Sequence, residues 1–272
     1  MTIETELLIL WAALIIYVLA GSLAIVTTLF RQRAEDLFQG LLWAGLVAHS
    51  IAIGYRWIRL DHGPFLTMFE ILSSNIWSIT LFFALVYWRF PPIRPTAAFL
   101  VPIQFMMMAW LLLASPGASV FPPTYDTVWL YVHVSFGKIF MGALVVAVAL
   151  AGAILCRQAR WARGVFDQLP NNESLIELAF RFMALGLIFQ SLMLVAGAVW
   201  AQDAWGRYWD WDPLETWSFI AWLFMALALH TKVTWKIPPK VACTLVLIVF
   251  IISFLTFFGV PFISMSPHQG AV

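Results

Sequence analysis

The hydrophobic positions of this chain fall into eight long runs separated by short polar segments. Each run has about the 20 apolar residues that a helix needs to cross a bilayer. Lipid offers no partners to bare backbone groups, and the runs are too long and too uniformly apolar for barrel strands. The pattern therefore predicts an all-α, polytopic membrane protein with about eight transmembrane helices. The runs cover approximately residues 7–30, 37–58, 68–89, 96–114, 130–155, 175–200, 215–235 and 240–260.

The connections between these runs are short, and prolines mark two of them. Pro91 and Pro92 separate the third and fourth helices, and Pro238 and Pro239 separate the seventh and eighth. No loop is long enough to fold as a soluble domain, and no repeat of fixed period is present. The sequence therefore predicts a single membrane domain over residues 1–272.

The basic residues predict how the helices are oriented. Lys and Arg are concentrated in cytoplasmic loops of membrane proteins, so the richer set of loops is expected there. Both termini then lie outside, which in a bacterium means on the periplasmic side of the inner membrane. The first run is too long for a signal peptide and follows Glu4 and Glu6, so we expect a retained helix. The richer set holds Arg31, Arg33, Arg89, Arg94, Arg157, Arg160, Arg163, Lys232, Lys236 and Lys240; the other holds Arg56, Arg59 and Arg207.

Composition agrees with lipid as the solvent and excludes several functions. The chain is 62% hydrophobic and 11% charged, against about 25% charged residues in a soluble domain. A net charge of +1 gives no basic field for nucleic acid. The only cysteines are Cys156 and Cys243, and no CxxC or CxxCH is present. We therefore expect neither a structural zinc site nor a covalently attached haem on this chain.

One connection, residues 201–217, has an unusual composition, and we call it the Trp loop. It reads AQDAWGRYWDWDPLETW and holds four tryptophans among acidic residues and an arginine. A belt of interfacial aromatics explains one or two such residues at a helix end. Four in one connection favour a platform for a flat apolar ligand whose polar edge meets the charged groups. The aromatic residues are Trp205, Tyr208, Trp209, Trp211 and Trp217; the charged ones are Asp203, Arg207, Asp210, Asp212 and Glu215.

Two histidines flank the Trp loop on the same predicted membrane face. His133 lies near the outer end of the fifth helix, and His268 follows the eighth. Neutral imidazole is a common axial ligand of haem iron, and two of them make a six-coordinate site. A lone histidine at an interface is usually only polar, but this pair beside a tryptophan platform suggests a haem site.

Two further histidines, His49 and His230, fall inside predicted helices. Ionisable residues within a membrane are often functional, although hydrogen bonding between helices is the alternative. They could ligate a second, internal haem iron. Arg56, Arg59 and Arg207 could pair with haem propionates, with ordinary snorkelling as the alternative.

Residues 196–217 resemble the tryptophan-rich "WWD" signature of the haem-handling family that includes CcsA (ResC), CcmC and HemX. Residues 130–135, LYVHVS, resemble the segment with the family's first external histidine, here His133, and residues 257–270 the segment with the second, here His268. Residues 229–231 look like the family's histidine near the end of the next helix, here His230. Residues 62–65 read His-Gly-Pro-Phe where the family usually has Gly-His-Phe-Pro. The signature positions are Trp200, Trp205, Gly206, Tyr208, Trp209, Trp211, Asp212, Pro213, Glu215, Thr216 and Trp217.

This resemblance implies a function in cytochrome c biogenesis. CcsA-like proteins present haem b on the outer face and help attach it to the CxxCH cysteines of apocytochrome c. The external histidines ligate the iron, the Trp loop contacts the ring, and the protein supplies proximity and orientation. Such synthases act with a second membrane subunit that has a large outer domain, CcsB (ResB), which this chain lacks. We therefore expect a CcsB/ResB-like partner.

Two other functions fit the same residues. The helices could hold permanent b haems and pass electrons between quinone and an external cytochrome. A HemX-like regulator or haem exporter would need no CcsB-like partner. A generic transporter is disfavoured, because neither inverted repeats nor paired broken helices are recognisable.

Overall fold

The computed structural model describes residues 2–30, 34–118, 120–159, 162 and 164–263. This part of the chain is helical and contains no strand. A 3₁₀ turn, Pro91–Thr96, leads into α4, another spans Pro123–Tyr125, and a π-helical turn, Leu255–Gly259, joins α8 to α9. The helices are α1 (Ile3–Phe30), α2 (Glu35–Leu60), α3 (Met68–Arg89), α4 (Ala97–Leu113), α5 (Val128–Arg157), α6 (Asn172–Trp205), α7 (Pro213–Thr234), α8 (Pro239–Phe254) and α9 (Val260–Ile263).

Eight of these helical segments are long and apolar enough to cross a membrane, which confirms the prediction of a polytopic all-α protein. Most predicted ends lie within a few residues of the observed ones. Helix α6 was expected to end near residue 200 and reaches Trp205. Residues 201–204 are polar or small but compatible with a helix, so hydropathy does not detect this extra turn.

The helices are grouped into two compact units. The first comprises Met1–Ala118 and Gly152–Asn171, and the second Ser119–Ala151 and Asn172–Val272. Helix α5 contributes to both. That the two units form a single membrane domain stays a prediction.

In the first unit, α1 and α3 each pack against both α2 and α4. Helix α3 is the most buried of the four spans, and its inward face is unusually polar. The hydroxyls of Ser74, Ser78 and Thr80 bond to carbonyls one turn back, the shortest from Thr80 to Ile76 at 2.6 Å. Such bonds satisfy polar groups that lipid cannot. The buried polar side chains of α3 are Glu70, Ser73, Ser74, Asn75, Ser78 and Thr80.

A buried ion-pair network joins three helices of the first unit. Arg56 of α2 contacts Glu6 of α1 at 2.8 Å and Glu70 of α3 at 2.9 Å. It also donates to the carbonyl oxygens of Pro116 and Gly117. Buried charges are tolerated when paired and fully hydrogen-bonded, and this geometry meets that condition.

Arg59 belongs to the same network, because its NH2 lies 2.7 Å from Glu6 Oε2. Arg56 and Arg59, two of the three arginines expected to pair with haem propionates, are therefore held by carboxylates of their own unit. Pairing of Arg56 or Arg59 with a propionate stays a prediction, and it would have to compete with these bonds.

In the second unit, α6 packs beside α7 and α8, and α7 packs beside α8. The 3₁₀ turn Pro123–Tyr125 lies against α6. Thr256, in the π-helical turn, donates to the carbonyl of Trp217 near the start of α7 at 3.3 Å. The Trp loop is thus the connection between two packed helices, which gives its ends a rigid support.

Candidate functional site

The non-helical part of the Trp loop is short. Helix α6 ends at Trp205, and α7 begins at Pro213, so only residues 206–212 are irregular. Gly206 has φ of +82°, a left-handed conformation that glycine adopts without steric cost. Its N–H donates to Gln202 O at 3.0 Å, which terminates α6. The predicted cofactor contact at Gly206 therefore coincides with a helix-ending position.

Asp212 and Glu215 organise the start of α7. Asp212 is the N-cap, and its carboxylate accepts the N–H of Glu215 at 2.8 Å. The Glu215 carboxylate in turn accepts the N–H of Asp210 at 2.8 Å. Both carboxylates are mostly buried, at 7% and 8% exposure. Their side chains hold the backbone of the loop in one shape; direct contact of either with haem stays a prediction.

The aromatic rings of residues 206–217 differ in exposure. Trp211, Tyr208 and Trp217 are exposed, with Trp211 at 66% and Tyr208 at 59%. Trp209 is half-buried; its ring centroid lies 5.6 Å from that of Trp211 and 6.5 Å from that of Phe219, both edge to face. The loop therefore presents Trp211 and Tyr208 outward, while Trp209 anchors it to α7.

Two features of these rings are unusual for a merely structural loop. Trp211 has φ of +59°, a region that bulky residues rarely adopt because of steric strain. The indole Nε1 of Trp209 is buried and has no hydrogen-bond acceptor among the described residues. Buried polar groups are nearly always paired. The strained backbone of Trp211 and the missing acceptor of Trp209 are both compatible with a segment that binds a ligand.

Trp205 starts a chain of aromatic contacts that leads into the second unit. Its ring lies 5.1 Å from that of Trp200 and 6.1 Å from that of Tyr125, both edge to face. The indole of Trp200 donates to the Tyr125 carbonyl at 3.2 Å. Burial raises the pKa of the Tyr125 hydroxyl, so this ring stays neutral. These contacts fix the end of α6 against the turn before α5.

His133 continues this chain of aromatic contacts beyond Trp200. Its ring stacks on Trp200, with centroids 6.2 Å apart and planes 17° apart. Its Nδ1 lies 2.8 Å from the Met193 carbonyl oxygen, which can only accept a hydrogen bond. Nδ1 therefore carries the hydrogen, and in the neutral form of the ring the lone pair is on Nε2. That is the atom required of a metal ligand.

The remaining predicted histidine ligands lie elsewhere. His268 is outside the described residues, so its position relative to His133 stays a prediction. His230 is exposed, 3.4 Å from Thr234 and edge-on to Trp235. It lies 17 residues along α7 from Pro213, which is roughly 25 Å at 1.5 Å per residue. A ligand at His230 would occupy a different place from one at the Trp loop.

His49 belongs to the first unit and is fully buried. Its Nε2 lies 2.9 Å from Ser73 Oγ, and its ring is 5.8 Å from that of Tyr17. These contacts are those of a hydrogen-bonded histidine between packed helices. Haem ligation by His49, with His230 of the second unit, stays a prediction.

Sequence reasoning did not single out Tyr125, Met193 or Gly197. Met193 acts through its carbonyl, which no sequence pattern reveals. Gly197 lies directly beneath His133: a Cβ built there would be 2.6 Å from the ring's Nδ1. A glycine inside an apolar helix is a recognised sign of close packing, and this was the available signal.

Comparison with known proteins identifies the family. The family model described as cytochrome C assembly protein matches residues 42–268. The chain belongs to this family. Cytochrome c assembly attaches haem to a protein, so membership gives the chain a role in cytochrome c maturation and implies that it handles haem in a membrane. The resemblance to CcsA is thereby confirmed.

Named relatives agree with this membership. A cytochrome c biogenesis protein CcsA from Prochlorococcus marinus (strain MIT 9515) is 28% identical over 94% of this chain and 91% of its own length. The protein of the same name from Chlamydomonas reinhardtii is 29% identical over 79% of this chain and 62% of its own length.

The fold is also found among solved structures. The protein named cytochrome c heme lyase CcmF superposes with a TM-score of 0.70 at 18% identity, covering 97% of this chain. The chain spans about half of CcmF, 47% of its length. At this identity the likeness supports the helical fold alone.

Proposed function

We propose that this chain presents haem b to apocytochrome c as the CcsA-type subunit of a cytochrome c synthase. The observation that carries the proposal is the continuous aromatic path in the second unit. It runs from Trp205 through Trp200 to His133, whose lone pair is on Nε2. An imidazole can ligate the iron of a planar complex, and aromatic rings can pack against its apolar ring, so the two together suit haem.

The described residues fit haem in three further respects. Trp211 and Tyr208 offer exposed rings to a flat apolar ligand. The buried N–H of Trp209 has no acceptor among the described residues. Among the described residues Arg207 forms one ion pair, an exposed one with Asp210 at 2.6 Å, so its guanidinium can exchange that partner for a ligand carboxylate.

Each residue then has a defined task. His133, together with His268, ligates the iron, and the rings of the Trp loop hold the edge of the macrocycle. Haem supplies vinyl groups that accept the cysteine thiols of CxxCH. The side chains described here contribute binding and orientation rather than acid–base catalysis. A CcsB/ResB-like subunit with a large outer domain completes the synthase.

We place the site on the outer face of the bacterial inner membrane, because the loops rich in Lys and Arg lie at the opposite helix ends. This orientation predicts that a periplasm-dependent reporter fused within residues 206–212 is active, while the same reporter fused between α7 and α8 is not.

A pyridine haemochrome measurement on purified protein tests the proposal. We expect haem b in the wild type, less haem in His133→Ala or His268→Ala, and almost none in the double variant. His62→Ala is the matched control, because His62 is a buried histidine of the first unit with no assigned ligand role. Unchanged haem in the double variant, or none in wild type after haem-supplemented expression, would overturn the proposal.

The same measurement shows whether the protein holds one haem or two. If His49 and His230 ligate an internal iron, their double variant retains the outer haem and loses a second one. A reversible potential for that second haem would favour an electron-transfer function. If His49 only bonds Ser73, then His49→Gln, which keeps a hydrogen-bonding group, leaves the haem content unchanged.

A further inference from the structure

We propose that Gly197 is a positioning residue for His133: its missing side chain lets the imidazole reach the Met193 carbonyl, and this bond sets the tautomer that binds iron. The inference rests on the proposed function, since it concerns how the ligand is prepared. It adds to that function a residue of α6 that touches neither haem nor apocytochrome.

Three residues of α6 that surround the His133 ring lie on one face of the helix. Met193, Gly197 and Trp200 are spaced i, i+4 and i+7, so they line one side of the helix. Met193 offers His133 a hydrogen-bond acceptor, Trp200 offers it a stacking surface, and the missing side chain of Gly197 leaves the space that the imidazole fills. Together they form a cradle for one imidazole ring.

A side chain at Gly197 would collide with this ring. A Cβ there would lie 2.6 Å from Nδ1 and 2.8 Å from Cε1 of His133, closer than carbon approaches either atom. The ring would have to move, and the atom that it meets first is the one bonded to Met193 O at 2.8 Å. A single methyl group therefore breaks this bond.

The bond to Met193 O also sets the chemistry of the ring. A carbonyl acceptor at Nδ1 fixes the hydrogen there and increases the basicity of Nε2 as a ligand. Without this bond the Met193 carbonyl no longer favours the Nδ1–H tautomer over the other one. Loss of such a supporting bond typically weakens metal binding by about 10–100-fold.

The test compares Gly197→Ala with Gly186→Ala. Both glycines lie inside α6, so both changes improve helix propensity equally. A Cβ at Gly186 would meet Phe140 and Met225 only at 3.6 and 3.7 Å, which is ordinary contact. We expect haem affinity to fall about 10–100-fold in Gly197→Ala and to stay unchanged in Gly186→Ala.

The tautomer is measured on haem-free protein, so this readout does not depend on haem binding. Nitrogen-15 NMR of labelled histidine, with His133 assigned by its loss in His133→Gln, distinguishes the two forms. We expect Nδ1–H in the wild type and in Gly186→Ala, and a mixture in Gly197→Ala. Wild-type tautomer and wild-type haem affinity in Gly197→Ala would overturn the proposal.

A rescue keeps the test decisive if Gly197→Ala folds poorly. In the double variant His133→Gly with Gly197→Ala the clashing ring is absent, so folding should recover to that of His133→Gly alone. If folding does not recover, Gly197 serves helix packing in general and the proposal fails. Absence of haem from the wild type and from Gly186→Ala would instead count against the proposed function, leaving the NMR result to decide this inference.

Discussion

The N–H of Glu215 donates to the carboxylate of Asp212 at 2.8 Å, and this bond starts α7. The first N–H groups of a helix have no partner within it, and an aspartate at the N-cap satisfies one of them. The negative charge also interacts favourably with the helix dipole. The shape of the Trp loop therefore depends on a capping residue that is part of the loop itself.

Replacing this cap should weaken the loop in a graded way. Asp212→Ala removes the acceptor and should cost about 1 kcal/mol of unfolding free energy. Asp212→Ser keeps an acceptor and should lose less. Thermal unfolding in detergent measures both, and haem content should fall in the same order. Equal stability of the two variants would show that capping is not what Asp212 contributes.

Trp211 distinguishes a ligand platform from an ordinary interfacial belt. It is 66% exposed, and Trp88, at the end of α3 in the first unit, is 64% exposed. A tryptophan of an interfacial belt contributes only its burial at the membrane surface. If Trp211 is such a residue, Trp211→Ala and Trp88→Ala have the same effect on haem content. We expect haem content to fall several-fold in Trp211→Ala alone. Similar haem content in the two variants would mean that Trp211 is an ordinary interfacial residue and does not contact haem.

The backbone at Trp211 gives a separate prediction. Its φ of +59° is strained for any residue with a Cβ and unstrained for glycine. Trp211→Gly should therefore be more stable than Trp211→Ala by about 1–2 kcal/mol, although glycine is normally the less stable choice. Because both variants lack the indole, the comparison isolates the backbone. A more stable alanine variant would mean that the strain is absent in solution.

The helices could be predicted because lipid imposes a simple rule on sequence. Every spanning segment must be long, apolar and internally hydrogen-bonded, so eight hydrophobic runs predict eight spans. Their ends were less certain where polar residues continue a helix. Trp205 was expected within a loop, and it is the last residue of α6, because the chain leaves the helix only at Gly206.

The site was predictable in composition but not in geometry. The Trp loop stands out because four tryptophans in one connection are unusual. The contact between His133 and Met193 O joins residues 60 positions apart through a backbone atom. Neither periodicity nor residue type encodes such a pair. The capping tasks of Asp212 and Glu215 likewise follow from loop geometry, whereas their sequence pattern suggested a charged rim for a ligand.

The buried ion-pair network of the first unit should contribute strongly to stability. Glu70 accepts from Arg56 through Oε1 and from the N–H groups of Leu66 and Thr67 through Oε2. Glu70→Leu leaves a guanidinium and two backbone donors short of an acceptor in a buried place. Removing one partner of a buried pair costs about 3–5 kcal/mol. We expect a correspondingly large fall in the unfolding temperature in detergent.

An exposed pair on α6 provides the matched control. Glu177 contacts Arg181 at 3.1 Å, and both side chains are largely exposed. Glu177→Leu should cost no more than about 1 kcal/mol, because both side chains are exposed near the start of α6 and are not buried among helices. The double variant Arg56→Met with Glu70→Leu should lose less stability than the two single changes added together, because the Arg56–Glu70 pair is removed as a whole and Glu6 still pairs with Arg59. Additive losses, or equal effects at Glu70 and Glu177, would mean that the network is accessible to water and that its charges act independently.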